Sequence, residues 1–137
     1  MLSTVEKVLF LKSIDLFSQI PGEDLAAVAL IATEERREQG DEIFAEGEAG
    51  DALYLVVDGR VRVHKADRVI AELGERECFG EMAILDAAPR SATVTTLGDT
   101  NVLKITREDF QEIMSEKPEI AQGIIKVLTR RLRDAIR

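Results

Sequence analysis

Cysteine is nearly absent: Cys78 is the sole thiol in 137 residues, so the chain can form no internal disulfide and no cysteine-rich cluster. Histidine is as scarce. His64 is the single imidazole, it falls on an alternating stretch, and it reads as an ordinary exposed residue. The sequence has no G-x-x-x-x-G-K-[ST] loop, no C-x-x-C pair and no His/Asp cluster at metal-ligand spacing, so the usual signatures of a catalytic site are missing. No apolar run approaches the roughly 20 residues of a membrane-spanning helix. Residues 1–7 lack a basic stretch ahead of an apolar one and do not read as a secretion signal. Together these shortages fit a reducing, cytoplasmic setting.

Positive charge is also in deficit, with 18 Lys and Arg against 26 Asp and Glu. The imbalance is uneven: residues 1–100 carry 10 basic and 20 acidic side chains, whereas residues 101–137 carry 8 and 6. The acidic body should repel nucleic acid, which is bound mainly through its phosphates. Lys126, Arg130, Arg131, Arg133 and Arg137 read as the solvated side of a terminal helix, where cations suit the helix dipole. Direct nucleic-acid binding is therefore not expected.

What is present suffices for one domain covering residues 1–137, which can bury roughly two-thirds of its unfolded surface. Ser3 and Glu6 have capping-box spacing ahead of Val5, Val8, Leu9 and Leu11, predicting a short helix. Phe17, Ile20 and Pro21-Gly22 mark a turn, and residues 23–32 form a second helix with Leu25, Val28 and Ala29 on one side. From Thr33 the texture changes to short β segments punctuated by glycines. Residues 53–57 and 61–64 read as strands, the second alternating, with Asp58-Gly59 as a hairpin turn between them. Further strands fall at 69–73, 92–97 and 101–106. Thr106 can then cap a helix carrying Phe110, Ile113 and Met114. Pro118 opens a last helix whose Ile120, Ile124, Leu128 and Leu132 recur at steps of four. That stripe faces either the chain's own core or a second chain. Gly123 costs roughly 1 kcal/mol relative to alanine in a helix, and reads as a close-packing point or a hinge. The order of elements predicts an α+β fold.

The segment Phe79-Gly80-Glu81-Met82-Ala83-Ile84-Leu85-Asp86-Ala87-Ala88-Pro89-Arg90-Ser91-Ala92-Thr93-Val94 places a glycine-opened turn, one carboxylate and one arginine within a dozen residues. Gly80 lets backbone amides approach a ligand because it has no Cβ. Met82 to Leu85 can turn as a short helix whose free N–H groups favour an anion. Pro89 biases Ala88 toward an extended shape, and Arg90 adds full positive charge and several donors.

This pattern resembles the phosphate-binding cassette of cyclic-nucleotide-binding domains, the family of catabolite activators, protein kinase A regulatory subunits and cyclic-nucleotide-gated channels. The upstream run from Glu46-Gly47-Glu48 through Asp58-Gly59-Arg60-Val61-Arg62-Val63 resembles the family's β-roll signature. The resemblance implies a jelly-roll-like antiparallel β-roll over residues 33–106, with the cassette at 79–94. N-terminal helices over 1–32 and two lid helices over 107–137 flank it. It implies no cofactor, and a cyclic nucleotide as ligand, cyclic AMP ahead of cyclic GMP. Ser91 does not decide between the two. Arg90 would take an equatorial phosphate oxygen, with amides near Ala83 and Ser91-Ala92 completing that shell. Glu81 would accept from the ribose 2′-hydroxyl, with Gly80 beside it, and Met82 belongs to the same turn. Val61, Val63, Ile70 and Phe79 are candidates for the wall near the purine. Arg131, in approximate register, would reach toward Glu81 across the pocket.

The resemblance therefore implies a non-enzymatic sensor that passes its bound state through the C-terminal helices to an effector of unassigned kind: channel, transporter, kinase or other. The rival reading is a β-roll interaction module that has lost its ligand. A homodimer formed through Ile124, Leu128 and Leu132 and excision from a longer protein are further expectations.

Overall fold

Helix α1 (Thr4–Lys12) begins where the sequence predicts: the Ser3 hydroxyl accepts from the Glu6 amide at 3.1 Å, and the Glu6 carboxylate accepts from the Ser3 amide at 2.9 Å. Two orphan donors are satisfied reciprocally. The computed structural model describes all of residues 1–137, and the chain divides into two units: residues 1–31 with 109–137, and residues 32–108.

The first unit is helical. After α1 come a 3-10 turn (Asp15–Phe17) and helix α2 (Gly22–Ile31). The unit also holds all but the first two residues of α3 (Arg107–Glu116), and the whole of α4 (Pro118–Ile136). Leu11, Ile14, Phe17, Leu25, Val28, Phe110, Ile120, Ile124 and Val127 are buried, and the Phe17 and Phe110 rings meet at 6.1 Å. The step-four stripe on α4 does not stay on one face. At about 100° per residue, each step of four rotates the stripe by about 40°. Ile120 and Ile124 are accordingly buried, Leu128 is half-buried and Leu132 is 63% exposed. Ile124 is thus core and not part of a seam. The exposed large apolar residues of α4 are instead Ile125, Leu132 and Ile136. Gly123 is a close-packing point: a Cβ there would lie 2.8 Å from the Gln19 carbonyl oxygen and 2.9 Å from Ile20 Cγ1.

The second unit is the expected jelly-roll-like pair of antiparallel sheets. Its strands are β1 (Thr33–Arg37), β2 (Glu42–Phe44), β3 (Ala52–Asp58), β4 (Val61–Lys65), β5 (Arg68–Leu73), β6 (Cys78–Phe79), β7 (Thr93–Thr96) and β8 (Thr100–Thr106). They form one sheet in the order β1-β8-β3-β6 and a second in the order β2-β7-β4-β5. The apolar run of β3 is buried from Ala52 to Val56. Asp58-Gly59 is not the expected hairpin turn. β3 pairs with β8 and β6 while β4 pairs with β5 and β7, so the turn hands the chain from one sheet to the other. Gly59 makes this handover with φ 101°, and a Cβ there would stand 2.6 Å from Thr100 Oγ1. The core joins Ile43, Phe44, Ala52, Tyr54, Val56, Val61, Phe79, Val94 and Val102. Tyr54 and Phe79 stack at 5.3 Å, and Phe44 tilts against both at 5.9 Å.

His64 is half-buried and structural, contrary to expectation. Its Nδ1 lies 3.0 Å from the Ala66 carbonyl oxygen and its Nε2 3.0 Å from Thr95 Oγ1. A carbonyl can only accept, so Nδ1–H donates to Ala66, and in the neutral ring Nε2 then accepts from the threonine hydroxyl.

Candidate functional site

The segment after β6 turns sharply. Gly80 adopts φ 74°, ψ 16°, in the left-handed region, and a short 3-10 turn (Glu81–Ile84) follows. Further on, the backbone of Arg90 is strapped to the loop between β2 and β3: its amide donates to the Glu48 carbonyl at 2.7 Å, and its carbonyl accepts from the Gly47 amide at 2.8 Å. Ala49 and Pro89 form an isolated antiparallel bridge beside them. Arg90 is therefore aimed by main-chain pairing and not by the proline alone.

The side chain turns inward and is only 8% exposed. Its Nη2 donates to the Ala52 carbonyl at 2.8 Å, its Nη1 reaches the Gly80 carbonyl at 3.5 Å, and its Nε is buried without a partner. The guanidinium carbon lies 3.9 Å from the centroid of the Phe44 ring. No carboxylate comes within 4.0 Å of its nitrogens. Burial lowers its pKa from the ordinary value, while Tyr54, Asp51 and Glu48 act in the opposite sense. Arginine stays charged under such shifts. The result is a desolvated cation held by two carbonyl dipoles and a ring face, none of which carries a full negative charge. Such a group strongly favours an anion.

A cavity of about 180 Å³ opens onto this guanidinium. Of the residues singled out from the sequence, Val63, Phe79, Gly80, Glu81, Met82, Ala83, Arg90, Ser91 and Ala92 line it. Glu81 is half-buried and pairs with no other group in the chain, so its oxygens are available to a donor in the cavity. The Ala83 amide is already used: it donates to the Gly80 carbonyl at 3.0 Å and closes the 3-10 turn. The backbone amides of Ser91 and Ala92 have no acceptor within the chain, leaving them free as donors.

Three expected residues do not line this cavity. Ile70 is 47% exposed on the edge strand β5, Val61 is wholly buried in the sheet core, and Arg131 pairs elsewhere. Its Nη2 and Nε donate to Asp15 at 3.0 and 3.3 Å, and Arg130 shares the same carboxylate. A carboxylate at Asp15 satisfies the arginine within the helical unit. The lining also includes Phe44, Ala88, Pro89 and Val94, which sequence reading did not nominate. Phe44 carries no local signal of its role, because its neighbour Arg90 is 46 positions away and only β2–β7 pairing, Phe44 opposite Val94, brings them together.

Residues 34–117 match the model of the family described as Cyclic nucleotide-binding domain. The chain is 41% identical over 102 residues to the Cyclic AMP receptor protein of Thermus thermophilus, a match covering 71% of this chain and 47% of that protein. The chain thus spans about half the length of that relative. Among solved structures, it is similar to the N-terminal domain of a transcriptional regulator from Streptomyces coelicolor, with TM-score 0.85, 31% identity, and coverage of 92% and 94% of the two chains. It is also similar to the regulatory domain of Toxoplasma gondii PKA in co-crystals with cAMP, with TM-score 0.75, 32% identity, and coverage of 80% of this chain and 44% of that one.

Proposed function

The chain belongs to the cyclic nucleotide-binding domain family, and we propose that its cavity binds cyclic AMP in preference to cyclic GMP and acts as the sensor of a regulatory protein. The observation that carries this reading is the Arg90 guanidinium, buried at the cavity with no carboxylate in ion-pair contact with it. A cyclic phosphate supplies one negative charge and two free oxygens, which suits one guanidinium backed by the free Ser91 and Ala92 amides. Glu81, otherwise unpaired, suits a ribose hydroxyl, and a hydrogen bond to a charged acceptor contributes roughly 1.5–3 kcal/mol.

The preference for adenine rests on the rest of the lining. Phe44, Val63, Phe79, Met82, Ala83, Ala88, Pro89, Ala92 and Val94 offer apolar side-chain surface, which accommodates a purine face but leaves the extra polar edge of guanine without partners. The names of the Thermus and Toxoplasma relatives point the same way. The reading is one of binding without turnover, with Glu81, Arg90 and Ser91 as the polar side chains that hold the ligand.

Transmission would start at α3. The Arg107 side chain donates to the Gly50 carbonyl at 3.0 Å and its amide to the Asp51 carbonyl at 2.8 Å, one residue before the carbonyl that holds Arg90. Occupancy that shifts this loop would be felt at the first residue of α3. The exposed Ile125, Leu132 and Ile136 on α4 are the surface an effector or a second copy would cover. No helix is long and apolar enough to cross a membrane.

Calorimetric titration with cyclic AMP and cyclic GMP, on the wild type, Arg90→Leu and Glu81→Ala, tests the reading. Either substitution should weaken binding by about 2–4 kcal/mol, the scale of removing one partner of a buried charged hydrogen bond. Equal affinity in wild type and Arg90→Leu, or no heat with either nucleotide, would contradict it and favour the ligand-free interaction module.

A further inference from the structure

The way Arg90 is held singles out a residue outside the polar set. A buried guanidinium is usually steadied by a carboxylate, but a carboxylate also cancels its charge, and an incoming anion must then compete with it. Here the ring of Phe44 occupies that place, with the guanidinium carbon 3.9 Å from the ring centroid. An aromatic face attracts a cation through its quadrupole while carrying no net charge. The ring is itself fixed. Phe44 is 8% exposed, and Tyr54 and Phe79, stacked on one another, brace it at 5.9 Å each. The Ala52 carbonyl takes Nη2 at 2.8 Å, so ring and carbonyl together restrict the guanidinium in two directions.

We propose that Phe44 is the positioning residue of the anion site: its ring face holds the Arg90 guanidinium in place without neutralising it, leaving the charge free for the ligand. The ligand half of this statement rests on the function proposed above, whereas the positioning half stands on the geometry of the unliganded chain. A residue of purely apolar role at position 44 would only fill space, and any side chain of the same shape would serve.

The test replaces Phe44 with its mono-, tri- and pentafluorinated analogues, which keep the ring's shape while draining its negative face. Titrated calorimetrically with cyclic AMP, the series should lose affinity stepwise, reaching about tenfold at full fluorination. A flat series in a protein that binds cyclic AMP overturns the positioning role and leaves the sensor reading intact. The ligand-free protein gives an independent answer through the NMR signal of the Arg90 Nε proton. In the wild type this proton should be displaced by the ring current and exchange slowly with water, and in Phe44→Leu it should lose both properties. Identical Arg90 signals in the two proteins overturn the proposal whether or not cyclic AMP binds.

Discussion

Arg90 occupies the space that a side chain at Gly80 would need: a Cβ built on that glycine lies 2.6 Å from Nη1 and 3.5 Å from Cζ of the guanidinium. The same glycine has a positive φ of 74°. One position therefore meets two independent requirements, a left-handed turn before the 3-10 segment and a clear path for the buried arginine.

Gly80→Ala should fail on both counts. The left-handed conformation costs an L-residue roughly 1–2 kcal/mol, and the methyl group must displace the guanidinium from its carbonyls. The expected outcome is a lower melting temperature and an affinity for cyclic AMP reduced at least tenfold, about 1.4 kcal/mol, by calorimetry. Wild-type affinity in this variant would mean that the guanidinium can be reoriented without loss.

Arg90→Leu should separate function from stability. The substitution deprives the Ala52 and Gly80 carbonyls of a donor, but it also removes a buried charge that has no carboxylate in direct ion-pair contact. Removing a buried charge relieves its desolvation penalty, which offsets the hydrogen bonds lost with it. Denaturant unfolding should place the variant within about 1 kcal/mol of the wild type while nucleotide binding collapses. A loss of several kcal/mol would show that the arginine is a structural clamp first.

Gly123→Ala sets helix propensity against packing. Alanine is favoured by about 1 kcal/mol in a helix interior, yet its methyl group would approach the Gln19 carbonyl oxygen at 2.8 Å. Because the nearest atom is backbone and cannot rotate away, overpacking, worth typically about 1–3 kcal/mol, should prevail. Thermal melting is expected to show net destabilisation. A stabilised variant would mean that α4 moves freely at this point, as a hinge requires.

Asp15→Asn removes the shared partner of Arg130 and Arg131. The Asp15 side chain is 58% exposed, so solvent screening leaves each pair worth about 0.2–1 kcal/mol. Unfolding in low salt should show a loss of about 1 kcal/mol or less that shrinks at high ionic strength. A larger, salt-independent loss would place this network among the main supports of the helical unit.

Local chemistry made much of this protein legible in the chain itself. The Ser3–Glu6 capping box, the proline at the first turn of α4, the apolar run of β3 and the glycine opening the 3-10 turn each act through neighbours within a few residues, so their consequences can be read in order. The cavity-lining roles of Gly80, Glu81, Arg90 and Ser91 were readable for the same reason, since one short segment carries them all. Three outcomes needed the tertiary structure. Asp58-Gly59 has the composition of a hairpin turn, but whether its two strands pair depends on which partners β8 and β7 offer from the far end of the unit. The α4 stripe turns away from the core because 3.6 residues per turn does not divide four, and what it meets is decided by other helices. Arg131 answers to Asp15 and Arg90 to Phe44 across separations of 116 and 46 residues, and pairings over such distances are set by how the elements pack, a property of the whole fold that no local window contains.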